Sequence, residues 1–163
     1  MDWQPWLKLI HIAAGFTFAL AHGVSAFTAL KLRGERDPAR VTALLDLSKF
    51  SLPISDLAIL VLLVSGIIGG FVGSYWGHLW IWISIGVLVF LFIFMGLRAV
   101  QHHDAIRHAL GVAGFYDKKN APIPEADPAA LAAALDSPRA LELAAVGGIG
   151  LLVLLWLMVV KPF

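Results

Sequence analysis

Apolar residues run through this chain in four long blocks, Trp6–Leu30, Ile54–Val72, Leu79–Val100 and Leu141–Val160, parted by polar stretches. A hydrocarbon core ~30 Å thick takes ~20 helical residues to cross, and each block is long enough. Lipid offers backbone N–H and C=O groups no partner, so an open chain this short crosses only as helices. The ten-residue alternation of a membrane barrel is absent. The pattern predicts an all-α fold: one four-helix antiparallel membrane bundle over residues 1–163, with spans at about 6–30, 54–72, 79–100 and 141–160.

The connections carry signals of their own. Asp37 is placed to accept from the first-turn N–H groups of a helix, and Pro38 suits its first position. Val41, Leu44, Leu45, Leu47 and Phe50 then form an apolar stripe, which predicts a short surface helix at about 38–50 ended by Pro53. GGFVGSYWGHLW forces a tight hairpin between the second and third spans. The third helix has no breaker before Gly111, so it is expected to run past the bilayer. GFYDKKNAPIPEADP, with three prolines and no periodicity, reads as an exposed loop. Asp127–Pro128 opens a short alanine-rich helix, and Ser137–Pro138 opens the fourth span. Ser65, Gly66, Gly69 and Gly70 in the second span, and Ala144, Gly147, Gly148 and Gly150 in the fourth, are small residues that let helices approach closely.

Composition sharpens this picture. The chain of 163 residues is 60% hydrophobic and 14% charged, too apolar for a soluble domain of that size. A net charge of +1 argues against a nucleic-acid partner. The absence of cysteine excludes disulfides and thiolate chemistry. MDWQPW lacks the basic flank of a signal peptide, so the first helix is expected to be retained. Ten of the 12 Lys and Arg residues fall on the two long connections and their flanks, leaving Lys8 and Lys161 on the other side. The positive-inside rule then predicts cytoplasmic long connections, with both termini and the hairpin on the outer side. Trp3, Trp6, Tyr75, Trp76, Trp80 and Trp82 gather at that outer interface as an aromatic belt.

Candidate chemistry centres on histidine. His11 and His22 share one face of the first span, ~16 Å apart along the axis. Gly15, Ser25, Ala26 and Ala29 line the same stripe with Phe18, and ionisable groups at membrane depth face a bundle interior. That stripe is the expected inward face. Met95 is about level with His22 and Met158 with His11, so the four residues are candidate axial ligands for a haem b. The competing reading is that the small residues pack helices, the methionines fill gaps and the histidines hydrogen-bond internally. Asp56 and Arg98, placed at similar depth by counting residues, are expected to form an ion pair that fixes helix register or, in a functional reading, a proton relay ending at His22. His102, His103, Asp104 and His108 form a cluster of metal-ligand type at the cytoplasmic end of the third helix, or else a solvated titrating surface. No phosphate loop, nucleophile elbow or zinc-protease motif is present.

LKLIHIAAG in the first helix, SGIIGG in the second and the closing LMVVKPF together resemble an uncharacterised bacterial membrane family, catalogued as domain of unknown function 2269. That resemblance implies four spans in a bacterial inner membrane and no established activity. Lys8 three residues before His11 is also similar to the first helix of copper-resistance D-like and HemJ-like membrane proteins. In the HemJ-like group it implies a haem-binding histidine and porphyrinogen oxidation. The W-x-x-G and L-P-R elements of that group are replaced here by FTFALAHGVSAF, so the resemblance singles out His11 alone.

Three functions follow as expectations. The first is a non-catalytic integral membrane protein, an accessory or structural subunit whose partners are the lipid bilayer and other membrane subunits. The second is a b-type haem or quinone-linked electron carrier using His11 and His22. The third, and weakest, is a small permease, since broken helices and paired repeats are missing. A haem at these ligands carries visible absorption that responds to dithionite, and packing histidines carry none.

Overall fold

Each apolar block becomes a helix, and three of the four helices outrun the bilayer thickness they were read from. In a computed structural model, residues 3–115, 117–118 and 120–163 are described; Lys119, counted above toward the charge asymmetry, lies outside them. Helices α1 (Gln4–Leu32), α2 (Pro38–Val72), α3 (Leu79–Ala109) and α5 (Arg139–Val160) run antiparallel in sequence, with a short α4 (Pro128–Asp136) between α3 and α5. No strand occurs among the described residues. Four helical segments, the last spanning α4 and α5 together, are long and apolar enough to cross a membrane. α1 packs along α2 and also on α5, and α5 packs on α3, leaving α1 and α3 on a diagonal.

Length explains the architecture at the connection end. α2 has 35 residues and α3 has 31. At ~1.5 Å per residue these helices reach ~52 and ~46 Å, against ~30 Å of hydrocarbon. The excess of α1, α2 and α3 converges there on a second core. Leu32, Val41, Leu45, Ile106, Ala109, Leu131 and Leu135 bury one another, with Val41, Leu45 and Ile106 fully enclosed. The amphipathic α4 closes this cluster with Leu131 and Leu135.

The surface helix expected at 38–50 is therefore corrected. It is the first part of α2, which continues through Pro53 without a break. Proline removes one hydrogen bond and crowds the preceding turn. Here packing on both sides of it outweighs that local cost: Val41 and Leu45 are anchored in the end cluster, and Ser48 and Ser65 are bonded to α1.

The capping signals act as the residues dictate. Asp37 accepts from Ala39 N–H at 3.0 Å. Asp127 accepts from Ala129 and Ala130 at 2.9 and 3.0 Å, and the Ser137 hydroxyl accepts from Arg139 N–H at 3.3 Å. At the opposite end, Ser74 takes a left-handed conformation to turn the chain into the 3-10 turn Tyr75–Gly77. Gly70 makes this hairpin possible, because a Cβ there would stand 2.9 Å from the Trp76 ring and 3.0 Å from Ile81. The C-terminal end lies beside this hairpin, with Trp80 N–H reaching the Phe163 carbonyl at 3.4 Å and Lys161 lying over the Tyr75 ring at 4.6 Å.

The end cluster gives the first prediction. Leu45→Ala removes a fully enclosed side chain bridging α1, α3 and α4, and is expected to cost about 2–5 kcal/mol. Thermal unfolding in detergent micelles checks it: a midpoint unchanged from wild type contradicts a cooperative end core.

Candidate functional site

The inward stripe of α1 is inward in the structure. Ala14, Phe18, Ala21 and Ala29 are buried, and His11, Gly15, His22, Ser25 and Ala26 are half-buried. The two imidazoles face different neighbours, however. His11 Nδ1 bonds the Ser65 hydroxyl of α2 at 2.8 Å, and its ring lies on Gly66. Ser65 also donates to the Val61 carbonyl at 2.5 Å, which fixes the hydroxyl. His22 instead presses its Nε2 edge into α5 at Gly147, where any Cβ would collide with the ring. That Nε2 is buried without a hydrogen-bond partner, and Phe18 lies against the ring at 6.0 Å between centroids.

This arrangement does not fit a haem held by two of the four expected ligands. The Ser65 bond uses only Nδ1 of His11 and leaves Nε2 outside it, but the Nε2 of His22 is covered by the α5 backbone where an iron would have to stand. Met158 packs into the Trp80–Ile81–Leu157 cluster. Met95 lies half-buried on α3, which is diagonal to α1. What the histidines do in this geometry is hold helices: His11 joins α1 to α2, and His22 fills the notch that Gly147 opens in α5.

The expected metal cluster is also corrected. Among the described residues no three His, Asp or Glu side chains converge as a metal site. Successive residues on a helix point ~100° apart, and these four are spent on packing and on the loop after α3. His102 and His103 are buried at the end of the bundle. Asp104 accepts from Phe115 N–H at 2.6 Å, and His108 meets Asp117 at 2.8 Å. The stretch read as an exposed loop is exposed over residues 122–127 and pinned at its start, at Phe115 and Asp117. Phe115 lies under Lys49 and Arg107, at 5.6 and 5.2 Å from its ring centre, and edge-on to His103. Arg107 closes the pin through Ala113 O at 2.6 Å and Asp46 at 3.2 Å.

The expected Asp56–Arg98 pair is not formed. Arg98 faces Glu142 of α5 at 3.7 Å. Asp56 is exposed on the outer surface of α2 and has no ion-pair partner among the described residues. Counting from each helix start placed the two at one depth; the side-chain contacts place them apart. Asp56 lies midway between Ser48, bonded to Ser25, and Ser65, bonded to His11. It is therefore level with the turn at Phe18–Leu20. His22 on Gly147 and Leu91 on Gly150 carry that level across the bundle to Leu91, the middle of the third apolar block. Arg98 is seven residues further on, ~10 Å nearer the connection end. Residue counting missed this because α2 starts far outside the apolar zone.

No family model, curated protein or solved structure matches the chain.

Two predictions follow. Gly147→Ala should destabilise the bundle by about 1–3 kcal/mol through overpacking. Combining it with His22→Ala should cost clearly less than the two single changes added together, since the clash is then gone. Additive losses in a double-mutant unfolding cycle contradict the notch. The second concerns the pinned loop. The Gly114 N–H, and after it His108, hold the Asp117 carboxyl below the usual carboxylate range. A lowered folded value means the bonds contribute fully above about pH 4 and are lost as the pH falls through that lowered value. Pepsin cleavage near Asp117 should rise only in that acidic window, and Asp117→Asn should abolish the pH dependence.

Proposed function

We propose that this chain is a non-catalytic subunit of a larger membrane assembly and that it docks through the outer face of α2. The observation that carries the reading is Asp56. It is a carboxylate at the mid-level of the apolar helices, turned outward, with no ion-pair partner among the described residues. A charged side chain at the centre of a spanning helix costs about 2.5–3.5 kcal/mol on insertion scales, and such groups are kept where something answers them. Other polar groups of the spanning helices are answered internally, His11 by Ser65, Ser25 by Ser48 at 2.9 Å and Ser84 by the Trp80 carbonyl at 2.7 Å, and the unpartnered Nε2 of His22 is enclosed against Gly147 instead of turned outward. Asp56 stands apart, and a second membrane protein is the source of a partner that fits.

The topology that accompanies this reading places the long connections and the pinned loop in the cytoplasm of a bacterial cell. The concentration of Arg36, Arg40, Lys49 and Arg107 at that end supports it, as do the tryptophans at the other.

Extraction of the chain from its native membrane in mild detergent tests the subunit role. The wild type is expected to migrate with a second membrane protein, and Asp56→Leu to migrate alone while keeping its helical content. Wild-type chain that migrates alone overturns the reading.

A further inference from the structure

The outer face of α2 has a second property beyond Asp56. Phe50, Leu57, Leu60, Val64, Ile67 and Phe71 are all exposed, from 37% for Ile67 to 70% for the two phenylalanines. With exposed Pro53 they recur at alternating steps of three and four residues over three heptads. A 3.5-residue repeat is the period of a left-handed helix pair packed knobs into holes. Asp56 flanks this seam immediately before Leu57. The α2 glycines that would permit a closer, right-handed pairing face the other way, Gly66 onto His11, Gly69 onto Leu7 and Gly70 onto Trp76.

We propose that this seam receives a transmembrane helix of a different protein that carries a lysine or arginine at mid-depth, with Asp56 as its counter-charge. The inference rests on the subunit reading above and adds the chemistry of the partner. Charge complementarity selects a cation, and none of the described residues offers one at that level. Its nearest basic residues on the facing helices and on α2 itself, Arg98 and Lys49, each lie seven residues from the level of Asp56, ~10 Å toward the connection end. A second copy of the chain fits the seam poorly. Two copies in one membrane share a topology, so their α2 helices would run parallel with Asp56 at equal depth. In parallel heptad packing the position before the seam meets the position after it on the partner helix. Those positions here are Ile54, Val61 and Ile68, all apolar. A second copy would therefore meet the carboxylate with hydrocarbon.

The test uses the full-length chain, labelled with a donor fluorophore at its amino terminus and reconstituted in phosphatidylcholine vesicles. Acceptor-labelled synthetic peptides of about 20 leucine-rich residues carry a central lysine, a central leucine, or a lysine moved two turns off centre. Energy transfer is expected to report about tenfold tighter association with the central-lysine peptide than with the other two, the size of one good interhelical polar contact. Asp56→Leu should erase the preference, and Asp56→Glu, which keeps the carboxylate, should retain it. Equal binding of all three peptides overturns the proposal. So does Asp56-dependent self-association of the chain, which would make a second copy the occupant. If the peptides bind equally while the natively extracted chain still migrates with another protein, the basic partner fails and the subunit role stands. Lone migration removes both.

Discussion

Hydrocarbon offers no hydrogen bond, and that constraint accounts for most of what is specific in this chain. Helices satisfy the backbone, which leaves the side chains. The hydroxyls Ser25, Ser48, Ser65 and Ser84 and the Nδ1 of His11 are paired in ways that also tie two turns or two helices together, while the buried Nε2 atoms of His22 and His103 are left without a partner. His11 and Ser65 set the register of α1 on α2 near the hairpin, and Ser25 and Ser48 set it near the connections. Two polar contacts about half a helix apart leave no freedom to slide. Apolar packing alone specifies such a register weakly, because leucine packs on lipid about as well as on leucine.

The same constraint explains why the end core matters. Beyond the apolar zone water returns, and the hydrophobic effect again rewards burial. α1, α2 and α3 extend into that region and enclose Val41, Leu45 and Ile106 with α4. The bundle is thus held by polar register contacts along the apolar zone and by a conventional core at one end. Phe115, with arginine and lysine over its ring, fastens the long loop to that core. Charges gathered there serve the loop rather than a metal.

Local chemistry made much of this legible in the sequence. Four apolar blocks, the Asp37–Pro38 and Asp127–Pro128 starts and the inward stripe of α1 each follow from rules acting within a turn or two. Pairings across helices were not legible. Pro53 reads as a terminator because its local cost is visible while the packing on either side of it is not. Arg98 reads as the partner of Asp56 although Glu142 stands beside it, because relative depth depends on where each helix starts, and α2 starts more than four turns before its apolar block. HHD…H looked like ligands because composition cannot show that Asp104 and His108 are spent on the loop. Gly147 was seen as a packing residue; that its gap is filled by His22 is a fact of register between α1 and α5. The repeat on the outside of α2 lay open in the sequence but was hidden in a block apolar on every side. Only the burial of Ser48, Ser51, Ala58, Ser65 and Gly70 separates its two faces.

That separation bears on why an acid stands at Asp56 at all. A seam of Phe, Leu, Val and Ile gives a helix pair area but little choice of partner, since any apolar helix packs comparably and lipid competes. A single polar residue beside such a seam lowers the stability of every pairing that leaves it unanswered and spares the one that answers it. Discrimination then comes from the cost to wrong partners rather than from added strength with the right one. Placing the acid outside the bundle also leaves the fold of the lone chain intact, because none of its internal contacts depends on that carboxylate. On the proposed docking role, stability of the bundle and choice of partner would fall to opposite faces of one helix, the inner through serine and glycine, the outer through a heptad and one aspartate.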